Sequence, residues 1–228
     1  MKNDANLLDN LQNSLNYSFN NLDILILSLT HKSFAYENNI KNNERLEFLG
    51  DTILQLVITE YLVKNYPDLS EGLLSKFRAV LVSETNLVIV AKKIDLGKYL
   101  LIGKGEESTN GREKKSILAD TFEAVVAAVY LDSNKKHAVE IIEKVIIDLF
   151  LESIKSSEND FSKADFKTVL QEYVQKNKIG DLRYDVVEIN GPDHKKEFTS
   201  SVFIDDQNFG TGKAKIKKVL SKMRPLML

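Results

Sequence analysis

The chain has 228 residues, a net charge of −2 and 43% hydrophobic residues, the make-up of an ordinary soluble protein with room for one large domain or two small ones. It contains no cysteine, which excludes disulfides and thiolate metal sites, and its three histidines, His31, His137 and His194, are too far apart for a zinc motif. No apolar run is long enough to span a membrane, and the N-terminus lacks the apolar core of a secretion signal, so a cytoplasmic location without membrane attachment is expected.

Taken in chain order, the first part reads as almost entirely helical. Leu22, Leu25, Ile26 and Leu29 recur at helical spacing before Thr30-His31-Lys32-Ser33. His31, at the end of that apolar helix, reads as a satisfied structural histidine. Next comes Asn43-Glu44-Arg45-Leu46-Glu47-Phe48-Leu49-Gly50-Asp51, which runs into Ile53-Leu54-Gln55-Leu56-Val57-Ile58 and is closed by Pro67. Ser70 is placed to cap a helix with Leu73, Leu74, Phe77, Val80 and Leu81 as its apolar stripe, and Ser83 to cap another ending near Gly97. Residues 103–115 are polar and contain glycine without the spacing of a phosphate loop, so they read as a mobile loop. From Ser116 a strongly apolar helix is predicted through Tyr130, interrupted by Asp120 and Glu123, and a last helix covers about residues 138–151.

The carboxylates carry the chemistry. Glu44, Glu47 and Asp51 stand at i, i+3 and i+7, on one face of a helix, and Asp120 and Glu123 stand at i and i+3 on another. Both helices are otherwise apolar. Like charges beside an apolar core repel, and desolvation makes this worse. With no evident excess of Lys or Arg nearby, a hard divalent cation is the simplest counter-charge. Oxygen-only ligands favour Mg2+, with Mn2+ as a substitute, over zinc or copper. Such an ion supports phosphodiester hydrolysis. The bland alternatives are a solvated acidic ridge, or Arg45 pairing with a glutamate and holding it structurally.

Residues 153–164 are polar and serine-rich and read as a linker between a first domain at 5–152 and a second at 165–228. Beyond it the period changes. A helix at about 166–177 precedes a strand at 183–189, a turn at 190–193, a strand alternating Phe198, Ser200, Val202 and Ile204, a turn at 205–208 and a short strand from Phe209. A basic helix from Lys213 completes an α-β-β-β-α order, a small α+β domain. From Asp165 onward there are 12 Lys+Arg against 9 Asp+Glu, and before it 19 against 24. An acidic front and a basic tail suggest metal at the front and a polyanion at the back.

These residues together resemble the ribonuclease III family. The run from Asn43 to Asp51, followed by Thr52, is similar to its signature. Thr30-His31-Lys32-Ser33-Phe34 resembles its upstream element, and Ala119-Asp120-Thr121-Phe122-Glu123-Ala124 its second acidic motif. The C-terminal part resembles a double-stranded RNA-binding domain. The likeness spans nearly the whole chain in motif order. It implies a homodimeric, all-α endonuclease domain followed by that α+β domain. The implied activity is Mg2+-dependent cleavage of double-stranded RNA to 5′-phosphate and 3′-hydroxyl ends with short 3′ overhangs, as in the processing of ribosomal RNA precursors. By motif position Glu47, Asp51, Asp120 and Glu123 are the expected metal ligands. Asp51 and Glu123 are the expected catalytic residues, with Glu123 the most sensitive. Glu44 is an auxiliary acid near the RNA, and Phe48 inserts into the partner subunit.

In the second domain Thr168, Gln171, Glu172 and Gln175 lie at i, i+3, i+4 and i+7 and match the family's first-helix contacts to the RNA minor groove. His194, in the loop Gly191-Pro192-Asp193-His194, matches the contact to the next minor groove, and Lys213, Lys215, Lys217 and Lys218 supply charge for phosphates. The chain departs from the family after Gly210-Thr211-Gly212. Ile216-Lys217-Lys218 stands in place of Ser-Lys-Lys, and Val219 to Pro225 contains no alanine. One hypothesis is a shifted reading frame from Ile216, which would weaken RNA binding and the second domain while leaving the nuclease domain intact. Codons that cannot yield the alternative frame would sink it. The rival to an enzyme is a non-catalytic RNA-binding scaffold of the same fold; a structural metal-binding dimer is a third reading. The full acidic set favours the enzyme.

Overall fold

The structure is a computed structural model that describes residues 2–133, 137–190 and 197–214, with side chains except at 2–7, 158–169, 172, 197–198 and 213–214. The chain divides into two compact units, Met1–Lys155 and Ser156–Leu228. The all-helical character expected of the first part and the strand-containing second part are both borne out.

The first unit contains α1 (Lys2–Leu15), α2 (Leu22–Ser28), α3 (Lys32–Asn38), α4 (Glu44–Asn65), α5 (Glu71–Leu81), α6 (Glu84–Lys93), α7 (Lys104–Ser108), α8 (Lys115–Asp132) and the start of α9 (Ala138–Asn177). Helix α8 forms the centre. It is apolar around almost its whole circumference, with Ile117, Leu118, Ala119, Phe122 and residues 124–129 buried, as expected of a helix enclosed by others. Helices α4, α6 and α2 pack around it. Phe77, Phe122 and Phe150 are fully buried, each contributing about 2–3 kcal/mol of transfer free energy.

Helix α4 turns Leu46, Gly50, Ile53, Leu54, Val57, Ile58 and Leu62 inward, at helical spacing. It stops at Asn65, ahead of Pro67, as expected. Its start is fixed by Asn43, which is 3% exposed. The Asn43 backbone N–H donates to the Thr30 carbonyl at 2.9 Å and its side-chain amide to the Ser28 carbonyl at 3.2 Å. Ser83 caps α6 by accepting from the Asn86 N–H at 3.3 Å, whereas Ser70 begins α5 without a side-chain cap.

Three expectations are corrected here. Residues 103–115 are ordered: α7 is followed by a 3-10 turn, Gly111–Glu113. Arg112 ties that turn to the Gly97 and Leu100 carbonyls at 3.0 and 2.8 Å and pairs with Glu107, while Lys114 pairs with Glu106. The polar side chains that suggested mobility are spent on these contacts. Second, the helix expected to end at 151 and the linker at 153–164 are one continuous helix, α9. Polar composition mimicked a linker, but no proline or glycine interrupts 138–177, and Lys, Glu and Ala favour the helix. It ends where Lys178 takes a left-handed φ of 51° and the Ile179 N–H reaches back to the Val174 carbonyl.

In the second unit β1 (Leu182–Asn190), β2 (Glu197–Ile204) and β3 (Gln207–Ala214) form an antiparallel sheet in that order. Tyr184 pairs with Val202 and Val202 with Gly210. The third correction is the turn at 205–208. Ile204 pairs directly with Gln207, so only Asp205 and Asp206 turn, and β3 begins earlier than Phe209. Asp205 tolerates the left-handed φ of 51° that this tight turn needs. The Asp205 carboxylate also accepts the Asp181 N–H at 2.8 Å, close enough to Gly180 that a Cβ there would meet it at 2.3 Å. The expected last helix, with Lys215, Lys217 and Lys218, and His194 in its loop, lie outside the described residues. Among the described residues no helix is long and apolar enough to cross a membrane.

Candidate active site

The two acid-bearing helices meet at Gly50. A Cβ built there would stand 1.8 Å from the Glu123 carbonyl oxygen, so only glycine lets α4 approach the α8 backbone this closely. The contact sets Asp51, the next residue on α4, beside Glu123 on α8. One turn earlier on each helix are Glu47 and Asp120. These four carboxylates sit half-buried at the helix crossing, while Glu44, the expected auxiliary acid, is exposed at its edge.

The four acids act on one another. Burial, then the charges of Asp51, Asp120 and Glu47, push the Glu123 carboxyl up to about 8. Burial raises Glu47 too, helped by Asp120 and Glu44 and opposed by Lys32. Asp120 is raised by burial and by Glu84, and opposed by Lys32 and His31. Among the described residues, of these four acids only Asp51 has a side-chain hydrogen-bond partner: the Gln55 amide donates to both its oxygens, at 2.9 and 3.0 Å. Among the described residues Glu47, Asp120 and Glu123 have no ion pair, and Arg45 pairs with none of them. Glu44 is held by the Asn42 amide at 2.9 Å and by the Lys32 ammonium at 3.7 Å.

Among the described residues no three carboxylates or imidazoles converge closely enough to hold a metal ion as they stand. The donor chemistry nonetheless fits a hard divalent cation: four oxygen-bearing groups share one partly desolvated, negative field, in which burial and then the neighbouring acids push Glu123 up to about 8.

The rim contains residues that sequence reasoning passed over. No excess of basic residues is expected near the acids; among the described residues a single lysine does reach them, Lys32, the first residue of α3, whose charge acts on Glu44, Glu47, Asp120 and Glu106. Glu84, at the start of α6, adds to the field on Asp120. Nothing in the local pattern of either residue points to the acids; only the packing of α3 and α6 does. His31 is structural, as expected. It caps α3, with Nδ1 accepting from the Ser33 N–H at 3.2 Å and lying 2.8 Å from Ser33 Oγ. That hydroxyl accepts the Gly103 N–H at 2.8 Å, and burial lowers the His31 imidazole below its ordinary value.

Phe48 projects from α4 with 81% of its surface exposed. In the second unit Gln171 and Gln175 are exposed on α9, on either side of buried Val174. Thr168 and Glu172 lie on the same helix with their side chains outside the description.

Comparison with known proteins places this geometry. Residues 21–149 match the family model described as Ribonuclease-III-like, and residues 166–222 match the double-stranded RNA binding motif. The chain is 48% identical over 214 residues to Ribonuclease 3 of Caldanaerobacter subterraneus subsp. tengcongensis, covering 93% of this chain and 92% of that protein. It is 44% identical over 212 residues to Ribonuclease 3 of Clostridium tetani, covering 92% and 88%. A solved nuclease domain of ribonuclease III from Campylobacter jejuni, described for structural flexibility in the region involved in its dimer formation, superposes with a TM-score of 0.57. It is 42% identical, covering 63% of this chain and 98% of that one.

Proposed function

The chain belongs to the ribonuclease III family, and from that premise we propose that it hydrolyses double-stranded RNA at the α4–α8 crossing with the help of Mg2+, or of Mn2+ in its place. Membership makes it an endoribonuclease with a double-stranded RNA-binding domain. The observation that best supports the metal reading is the meeting of four half-buried carboxylates at this crossing, where burial and the neighbouring acids push Glu123 up to about 8.

Glu47, Asp51, Asp120 and Glu123 would hold the ion. When bound, it supplies positive charge for a phosphoryl oxygen and lowers the pKa of a water. The chain's own residues do the rest. Gln55 orients Asp51 through both oxygens. Gly50 fixes the spacing of the two helices. Glu123, pushed up to about 8, would have to give up its proton to serve as a ligand. Glu44, at the exposed edge, faces the side from which RNA approaches. In the hydrolysis a water oxygen joins the phosphorus, the bond to the 3′ oxygen breaks, and that oxygen takes up a proton. The products are a 5′-phosphate and a 3′-hydroxyl.

Exposed Phe48 supports a homodimer in which each Phe48 enters the partner and each subunit cuts one strand, leaving short 3′ overhangs. Gln171 and Gln175, with Thr168, Glu172, His194, Lys217 and Lys218, are proposed to track the two minor grooves and the intervening phosphates of the duplex. Cytoplasmic ribosomal RNA precursors are the proposed substrates. The test is cleavage of a long RNA duplex with Mg2+, with chelator, and by Glu123→Gln with Mg2+. Only the first should cut, leaving 5′-phosphate ends; equal cutting in all three would reject the mechanism, and none in any would favour a scaffold.

A further inference from the structure

We propose that Lys32 is the resident counter-cation of the acidic centre: it competes with the divalent ion for the carboxylate field when RNA is absent, and turns to a backbone phosphate when the duplex binds. The inference rests on the divalent-ion reading above and adds a residue which that reading does not contain.

The placement of Lys32 is enforced from both sides. Before it, the His31 N–H donates to the Leu101 carbonyl at 2.9 Å and the His31 ring caps the helix. After it, Ser33 Oγ accepts from Gly103. One turn on, Glu37 accepts the Lys104 N–H at 2.8 Å. Gly103 is closed in between these two: a Cβ there would meet the Glu37 carboxylate at 2.5 Å and the Ser33 carbonyl at 2.9 Å. The backbone of Lys32 is thus locked to the 101–104 segment while its side chain stays 67% exposed. The ammonium lies 3.7 Å from Glu44, and its charge opposes those of Glu47, Asp120 and Glu106. It is a cation on a fixed root with a free stem, among acids it does not tightly bind. An ion pair at that distance and exposure is weak enough to exchange. A divalent ion entering the field meets like-charge repulsion from Lys32. An RNA phosphate entering the same field meets repulsion from every acid, and Lys32 is a lysine whose charge reaches Glu44, Glu47 and Asp120 and can offset it.

The sign of the effect is therefore opposite for the two ligands. Full-length wild type, Lys32→Met and Lys32→Arg are compared in two titrations. One follows Mn2+ binding to RNA-free protein by the loss of the free-ion EPR signal. The other follows duplex RNA binding in chelator, where no hydrolysis occurs. Lys32→Met should bind Mn2+ roughly three- to tenfold more tightly at low salt, a difference that shrinks at high ionic strength. It should bind RNA several-fold more weakly, with about one unit less salt slope. Lys32→Arg should follow the wild type in both, and in cleavage the Met variant should raise KM more than it lowers kcat. A merely structural lysine would not shift the two affinities in opposite directions. Wild type that takes up no Mn2+ overturns the metal reading and this inference together. Wild-type uptake with either affinity unchanged in Lys32→Met overturns this inference alone. Lys32→Gln serves the same purpose if the Met variant melts early.

Discussion

At the scale of single residues, Glu123 couples function to stability. Its carboxyl sits near 8 in the folded, metal-free protein and near 4.5 when unfolded. Between those values the folded state binds more protons than the unfolded one, so stability falls as pH rises. Burial of Glu47 and Asp120 acts in the same direction. Metal-free protein should therefore lose on the order of a few kcal/mol between pH 5 and 8. Glu123→Gln should flatten that loss, and a divalent ion should reverse it. Thermal melts of both proteins across that pH range, with and without Mg2+, check this; equal slopes for the two in chelator would contradict it. The acids could be read from the sequence because spacing within one helix is a local property. Lys32 and Glu84 could not, because their relation to the acids is made by α3 and α6 packing from elsewhere in the chain.

At the scale of elements, the crossing of α4 and α8 is what turns two acidic stripes into one centre. With a Gly50 Cβ only 1.8 Å from a backbone oxygen, Gly50→Ala forces the helices apart. Relief by rotating a flexible side chain is not open to it, because the obstacle is main chain. The expected cost is at least about 1–3 kcal/mol of stability. Activity should fall by about 10²-fold or more, because the two acid pairs lose register. Melting and cleavage measured together check this, and an alanine variant with wild-type cleavage would contradict it. The glycine was visible in the sequence, but its role was not: nothing local says which partner element it faces. The same limit explains residues 103–115 and α9. Polar composition was read as loop or linker, whereas tertiary ion pairs in one case and an unbroken run of helix-compatible residues in the other produced ordered structure.

At the scale of the whole molecule, the chain joins a helical nuclease unit to an RNA-binding unit, and the sequence showed their different fold classes through the change of hydrophobic period beyond 153–164. Helix α4 carries a second, outward set of apolar side chains, Phe48, Leu56 and Val63, exposed by 81, 54 and 57%. A solitary subunit gains nothing from them. If Phe48 enters a partner, Phe48→Ala removes two symmetric contacts worth about 3–6 kcal/mol together, or roughly two to four powers of ten in the dimer Kd. The fold of each subunit should be spared. Sedimentation equilibrium reads this directly, and an unchanged Kd would remove Phe48 from the interface. The claim on which the mechanism turns is that the α4–α8 acids receive a divalent cation and that Glu123 must lose its proton to do so. Calorimetric titration of Mn2+ into RNA-free protein at pH 7, repeated in buffers of different ionisation enthalpy, measures both at once. A divalent centre of this kind predicts binding with release of roughly one proton per subunit, lost in Glu123→Gln. Binding without proton release, or no binding, would contradict it.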